Sequence, residues 1–348
     1  MPESVAHYLR YVQQLVSSSV SLAFKTQTNH TGCLAQQPRK CRFPLEDDRS
    51  DTITLSDGRR LGYAQYGSVT GKPIFHLHGL PGSRIEGAYY HDIGLRLGAR
   101  IIAVDRPGIG LSSPNPDRRL LDFPKELEYL AQHLGLDEYA VVGVSGGGPY
   151  ALACAAALPR EKIRCVSIVC GLGPPDISMR GADLAHRVAF PYGWRYAPSF
   201  LTRWFWKLQP VGRIDLTDSQ WLAMMLDPAR LEATPVKDLG FMKDEDVLQV
   251  MLRSTRQAFS QGFDGVWRDG KVMCSHFGFR VEDIHSDLPV RLWYGKQDTF
   301  IPLIQGEQIA ARLNGRAHLR VLDETHGSIF FNRREEVIED ILATMKKS

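Results

Sequence analysis

The chain has 348 residues, about twice the commonest domain size, which allows one large domain or a core with an insertion and excludes a small cross-linked scaffold. Hydrophobic residues at 43% and charged residues at 23% supply enough apolar material for a core and exclude wholesale disorder. The net charge of +3, without any run of five like charges, gives no footprint for nucleic acid or for an anionic membrane.

The six cysteines, Cys33, Cys41, Cys154, Cys165, Cys170 and Cys274, lack C-x-x-C spacing, which fits a reduced, cytoplasmic compartment better than a disulfide framework. At the start of the chain, Val5, Leu9, Val12, Val16 and Val20 recur at helical spacing and predict one amphipathic helix. Glu3 and Arg10 make it too polar to span a bilayer and a poor signal peptide. Packing on the protein, or mobility, is expected of it in preference to membrane contact. Asn29-His30-Thr31 is a glycosylation sequon of the kind that arises by chance. Residues 1–45 are therefore read as an extension ending in a polar, turn-rich linker.

The fold proper opens with Thr52–Leu55 and Leu61–Tyr66 flanking Asp57-Gly58, a hairpin signal. Continuous apolar runs follow at Ile74–Leu77, Ile101–Val104, Ala140–Val144 and Cys165–Val169, as expected for parallel strands buried on both faces. Phe123–Leu134 reads as a helix, with Pro124 in its first turn, Leu127, Leu130 and Leu134 on one face, and Gly135 as the stop. The alternation predicts an α/β, doubly wound, mostly parallel sheet. The strand pattern then lapses, and five of the six tryptophans fall in the lapse, which predicts a mostly helical insertion over 174–287 between core segments 46–173 and 288–348. Val290–Tyr294 and Leu319–Leu322 resume the strands, and a final helix carries Val337, Ile338, Ile341, Leu342 and Met345 on one face.

The strongest chemical signal is Gly143-Val144-Ser145-Gly146-Gly147, between a buried strand and an alanine-rich helix. This is a G-x-S-x-G elbow, whose glycines let the serine sit on a sharp turn with its hydroxyl projecting from the sheet. A serine hydroxyl needs a base, and the base needs an orienting acid. Asp298 and His326 follow at later strand ends in the required order. Asp176, Asp323 and Glu324 compete with Asp298 for the acid's place. The loop His76-Leu77-His78-Gly79-Leu80-Pro81-Gly82-Ser83-Arg84 lies where an oxyanion loop belongs, and the backbone N–H groups of Leu80 and Gly146 are assigned to the oxyanion hole. His78 is expected to be scaffold, and Asp105-Arg106-Pro107-Gly108 a structural turn.

The HGLPGSR loop, DRPGIGLS, GVSGGGPYALA, WYGKQDTFIP and THGS together resemble the α/β-hydrolase superfamily, specifically members with a helical cap. The resemblance covers about residues 51 to 348. It implies an α/β-hydrolase fold, a Ser145, Asp298, His326 triad, no cofactor, no metal and a small-molecule acyl substrate. Related epoxide hydrolases and dehalogenases carry aspartate where this chain has Ser145, and proline iminopeptidases usually read HGGPG where it reads HGLPG. The expected activity is a serine hydrolase acting on an ester, lactone or thioester of an apolar or aromatic substrate. A carbon-carbon bond hydrolase, a cofactor-free oxidative or pericyclic enzyme, and a ligand receptor with a slow triad are the alternatives. No nucleic-acid partner is expected, and the oligomeric state is left open.

Overall fold

A computed structural model describes residues 40–45 and 49–347; the helix expected over Val5–Val20, the sequon and Cys33 lie outside the described residues. From Cys41 onward the chain forms one compact unit, with the insertion and the sheet together.

Eight strands form a single sheet in the order β1-β2-β4-β3-β5-β6-β7-β8. β1 (Ser50–Thr54) and β2 (Arg60–Gly67) are the expected hairpin, with Gly58 at φ 82° supplying the left-handed residue of the turn. β2 is also antiparallel to β4, and every pairing beyond that is parallel. The parallel strands are β3 (Lys72–Leu77), β4 (Ala99–Val104), β5 (Tyr139–Val144), β6 (Ile163–Val169), β7 (Val290–Gly295) and β8 (Ala317–Leu322).

Successive residues of the central strands alternate between two apolar layers. Val141 and Leu292 join one layer, with Leu127 and Leu130; Val142 and Trp293 join the other, with Ile338 and Ile341. This two-sided burial is why the runs read as continuously hydrophobic. Helices α1 (His91–Leu97), α2 (Phe123–His133) and α3 (Gly148–Ala157) connect the first strands. α2 presents Leu127 and Leu130 to the core, each fully buried and each contributing about 1.5 to 3 kcal/mol. It gives way at Gly135, whose φ is 64°.

Between β6 and β7 the described structure is helical: α4 (Leu184–Val188), α5 (Ser199–Leu208), α6 (Asp218–Met225), α7 (Glu245–Ala258) and α8 (Asp264–Met273), with shorter turns between them. Trp221 packs with Met225, Leu248 and Leu252 in a small core of the insertion's own. Trp194 and Trp206 join the main core, whereas Trp204 is 62% exposed. α9 (Ile304–Arg312) follows β7, and the terminal helix α10 (His326–Lys347) buries the predicted face of Val337, Ile338, Ile341, Leu342 and Met345. The parallel strands all run the same way, so the loops after β3, β4, β5, β6, β7 and β8 gather at one end of the sheet.

Candidate active site

Ser145 stands directly after β5 with φ 52°, in the left-handed region that a non-glycine residue rarely occupies. The turn is possible because its neighbours lack side chains: a Cβ on Gly143 would strike the Gly147 carbonyl, and one on Gly147 would strike the Leu77 carbonyl. The chain passes at once through Ser145–Gly147 into α3, so the serine sits at a helix N-terminus, where negative charge is favoured.

The structure brings the three expected side chains into one line. His326 Nε2 lies 2.9 Å from Ser145 Oγ, and His326 Nδ1 lies 2.7 Å from Asp298 Oδ2. Asp298 is buried, and its other oxygen accepts the backbone N–H groups of Phe300 and Ile301, both at 2.8 Å. Those bonds set the carboxylate's plane, and the carboxylate sets the imidazole. Burial of His326 works against its charged form, but the Asp298 carboxylate outweighs that and holds the imidazole well above the ordinary histidine range. Phe300 stacks on the His326 ring at 5.3 Å. Its other neighbour is His186 of α4, at 4.4 Å, so the histidine ring is held through Phe300 against the insertion. His326 is also the first residue of α10 rather than a loop residue.

The competing carboxylates are engaged elsewhere. Asp176 pairs with Arg312 at 2.6 Å, Asp323 with Lys237 at 2.9 Å, and Glu324 with Arg333 at 2.9 Å. His78 is fully buried with Nδ1 2.9 Å from the Gly79 carbonyl, and burial followed by the nearby Arg106 charge keeps it well below the usual histidine value. It is scaffold.

The loop carrying Leu80 is held by Arg106. This fully buried guanidinium donates to the carbonyls of His78 at 2.6 Å and of Gly79 at 2.8 Å, and to Asp269 at 2.7 Å. A trans peptide places its C=O and N–H on opposite sides, so turning the Gly79 carbonyl toward Arg106 turns the Leu80 N–H away from it. That is the direction of Ser145 and Gly146: a Cβ on Gly146 would lie 3.2 Å from Leu80 N, and one on Gly79 would lie 3.8 Å from Ser145 Cβ. Asp269 also accepts Tyr150 O–H at 2.6 Å and pairs with Arg118 at 3.2 Å. Burial opposes its charge, but Arg106 and Arg118 outweigh this and keep Asp269 below the ordinary carboxylate range.

Three residues in this arrangement, Arg106, Asp269 and Glu86, were missed by sequence reasoning. Arg106 stood inside a motif read only as a turn, and its acid lies 163 residues away on α8, beyond any spacing rule. Glu86, three residues past Ser83, accepts the Gly79 N–H at 3.0 Å. Burial pushes Glu86 up to about 7, against the pull of that N–H.

Beside the elbow lies a cavity of about 300 Å³ walled by Leu172, Ile177, Met179, Phe190 and Met273, with Arg180 and Arg187 among its polar lining. It adjoins Ser145 through Leu172, whose N–H donates to the Ser145 carbonyl at 3.1 Å, and through Met273, whose sulfur would lie 3.2 Å from a Cβ on Gly146. Asp298, His326 and Cys170 also form the one cluster of metal-ligating side chains among the described residues, but His326 is already engaged by Ser145 on one ring nitrogen and by Asp298 on the other.

A family model described as alpha/beta hydrolase fold matches residues 72–333, well over half of the chain. The chain belongs to the alpha/beta hydrolase fold family. This member is 34% identical over 110 residues to a proline iminopeptidase of Xanthomonas citri, covering 30% of this chain and 34% of that one. It is 26% identical over 199 residues to a probable proline iminopeptidase of Leptolyngbya boryana, covering 54% and 57%. The matches thus span less than two thirds of either relative. Among solved structures, an esterase from Exiguobacterium antarcticum superposes with a TM-score of 0.56 at 17% identity, over 85% of this chain and 98% of that one. The eight-stranded, mostly parallel sheet is the α/β-hydrolase architecture that the motifs implied.

Proposed function

We propose that this hydrolase-family protein is a serine hydrolase that cleaves an ester, lactone or thioester through an acyl-enzyme on Ser145. The observation that carries the reading is the pair of contacts at His326, 2.9 Å to the serine hydroxyl and 2.7 Å to a buried carboxylate. Ser145 Oγ attacks the acyl carbonyl while His326 Nε2 takes its proton. The carbonyl oxygen, now negative, rests between the N–H groups of Leu80 and Gly146. Collapse breaks the bond to the leaving oxygen or sulfur, which receives the proton from His326. Water then repeats the sequence, with His326 as its base, releasing the acid and restoring Ser145. Asp298 keeps the imidazole in the tautomer that presents Nε2 to the serine. Leu172, Phe190 and Met273 in the cavity wall favour an apolar or aromatic acyl or alcohol group.

The names of the aligned relatives support a second substrate for the same acyl-enzyme route, the amide of an N-terminal proline. Labelling with a fluorophosphonate, wild type against Ser145→Ala, tests the nucleophile; label on both proteins refutes it. A panel of p-nitrophenyl esters of rising chain length, with proline p-nitroanilide beside it, then separates the two substrate readings.

A further inference from the structure

The chain's near-neutral total conceals one region of a single sign. From Leu184 to Ile214, between Asp183 and Asp215, there is no Asp or Glu, and there are five basic residues: Arg187, Arg195, Arg203, Lys207 and Arg213, the last of them paired with Asp215 at 2.8 Å. The same stretch holds most of the large apolar side chains that the described structure exposes, among them Tyr192 at 63%, Tyr196 at 69%, Phe200 at 65% and Trp204 at 62%. Isolated exposed apolar residues are ordinary, whereas a contiguous group marks a contact surface.

Helix α5 shows how the face is built. Thr202 and Trp206 point inward and are buried, Trp206 against Trp194 and Phe259. Phe200, Leu201, Trp204, Phe205 and Leu208 are all exposed, and helical spacing puts them on one outer stripe roughly 140° wide. Arg203 and Lys207, one turn apart, line its edge. The wider apolar face of the helix is thus the outer one, and the protein covers only the narrower inner one of Thr202 and Trp206. Arg203 meets Asp264 at 2.9 Å on the rim.

We propose that this face docks on an anionic lipid surface, with α5 lying in the plane of the headgroups. Aromatic rings with one polar end, aliphatic side chains between them and basic residues at the margin are the composition of an interfacial helix, and the basic residues attract anionic headgroups. The charge decides against the other occupants. A second copy meeting this face about a twofold axis would set Arg195 and Lys207 against basic residues, because the nearby acids Asp264 and Asp215 are already paired with Arg203 and Arg213. Residues 1–40 supply four basic residues and one acidic, so they offer no charge complement either, and apolar contact by their expected helix is the competing outcome, which would prevent binding to vesicles. No helix among the described residues is long and apolar enough to cross a membrane, so the contact is with the surface. Arg187, Phe190 and Tyr192 belong both to this stretch and to the cavity beside Ser145, so a docked face would set that cavity against the lipid.

Binding is read without turnover and so stands apart from the assignment of Ser145. The full chain is floated with vesicles of phosphatidylcholine alone and with vesicles containing equal parts phosphatidylglycerol. Binding to the mixed vesicles is expected, weaker by roughly tenfold or more on phosphatidylcholine alone and lost progressively with added salt. Phe200→Ser with Trp204→Ser, and separately Arg195→Glu with Lys207→Glu, each reduce it by roughly tenfold or more while circular dichroism and fluorophosphonate labelling stay at the wild-type level. Failure to bind either vesicle, binding that survives both double variants, or a concentration-dependent dimer that the apolar variant dissolves each overturns the proposal.

Discussion

The loop end of the sheet and the outer face of the insertion handle charge and apolar surface in opposite ways. At the sheet end, charges are buried and matched: Arg84 with Asp105 at 2.8 Å, and Arg106 and Arg118 with Asp269 at 2.7 and 3.2 Å. On the insertion, Arg195 and Lys207 stand at the surface beside exposed aromatic rings. A buried, fully bonded charge is costly to displace, so it holds backbone in one place. An exposed one adapts to whatever meets it. Positioning for chemistry is therefore expected at the first region, and selection of surroundings at the second.

The largest effect expected from substitution tests this division directly. Ser145→Ala should lower turnover on a responsive ester by on the order of 10⁶ without loss of fold, measured by kcat and by the far-ultraviolet circular dichroism spectrum. Retention of substantial turnover would detach the chemistry from the elbow.

Asp298→Asn should cost about 10⁴ in kcat, because the amide holds the wrong tautomer of His326. The pH profile gives the sign of the electrostatics. The base must be neutral, and Asp298 raises the His326 value, so kcat/KM of the wild type should climb through a limb lying above the ordinary histidine value of about 6.5. Without the carboxylate the limb moves to lower pH. A limb that stays put would mean that another group controls it.

Arg106→Met asks whether the buried network holds the Leu80 loop. It leaves the Asp269 carboxylate with Arg118 and Tyr150 but without its closest cation, and about 1 to 3 kcal/mol of stability should be lost in urea titrations. Arg106→Met combined with Asp269→Leu and Arg118→Met removes the buried charges together and should recover part of that stability, while kcat stays low because the carbonyls of His78 and Gly79 remain unheld. Recovery of both together would show the network to be structural only.

The smallest expected effect comes from Glu86. Its folded value, about 7, is raised above that of an exposed glutamate, about 4.3, so the native state holds the proton through that interval and the unfolded state does not. Stability from this group is therefore full below the unfolded value and is lost as pH rises toward 7. Glu86→Gln keeps an acceptor for the Gly79 N–H and removes the charge, so its melting temperature should vary less between pH 4.5 and 7 than that of the wild type.

Much of this molecule could be read locally. The hairpin at Asp57-Gly58 and the helix stop at Gly135 are legible because a left-handed backbone selects glycine within a few residues of chain. The central strands are legible because burial on both faces removes the polar alternation. The elbow is legible because its crowding glycines lie within five residues of chain. Asp269 and Glu86 escaped because their partners are reached through the fold: a charge's worth depends on what it meets when water is excluded, and spacing along the chain carries no record of that.

The same reason divides what each level of description decides. By itself the sequence determined the α/β order, the serine turn and the candidates Asp298 and His326, since each follows from short-range geometry and hydrophobic period. Only the tertiary structure chose Asp298 over Asp176, Asp323 and Glu324, since all four are carboxylates and what separates them is the cation or imidazole each one faces. It also turned α5 so that Trp206 is covered and Phe200, Leu201, Trp204, Phe205 and Leu208 are not. All of these side chains read as hydrophobic in the chain, and only packing determines which of them water still touches.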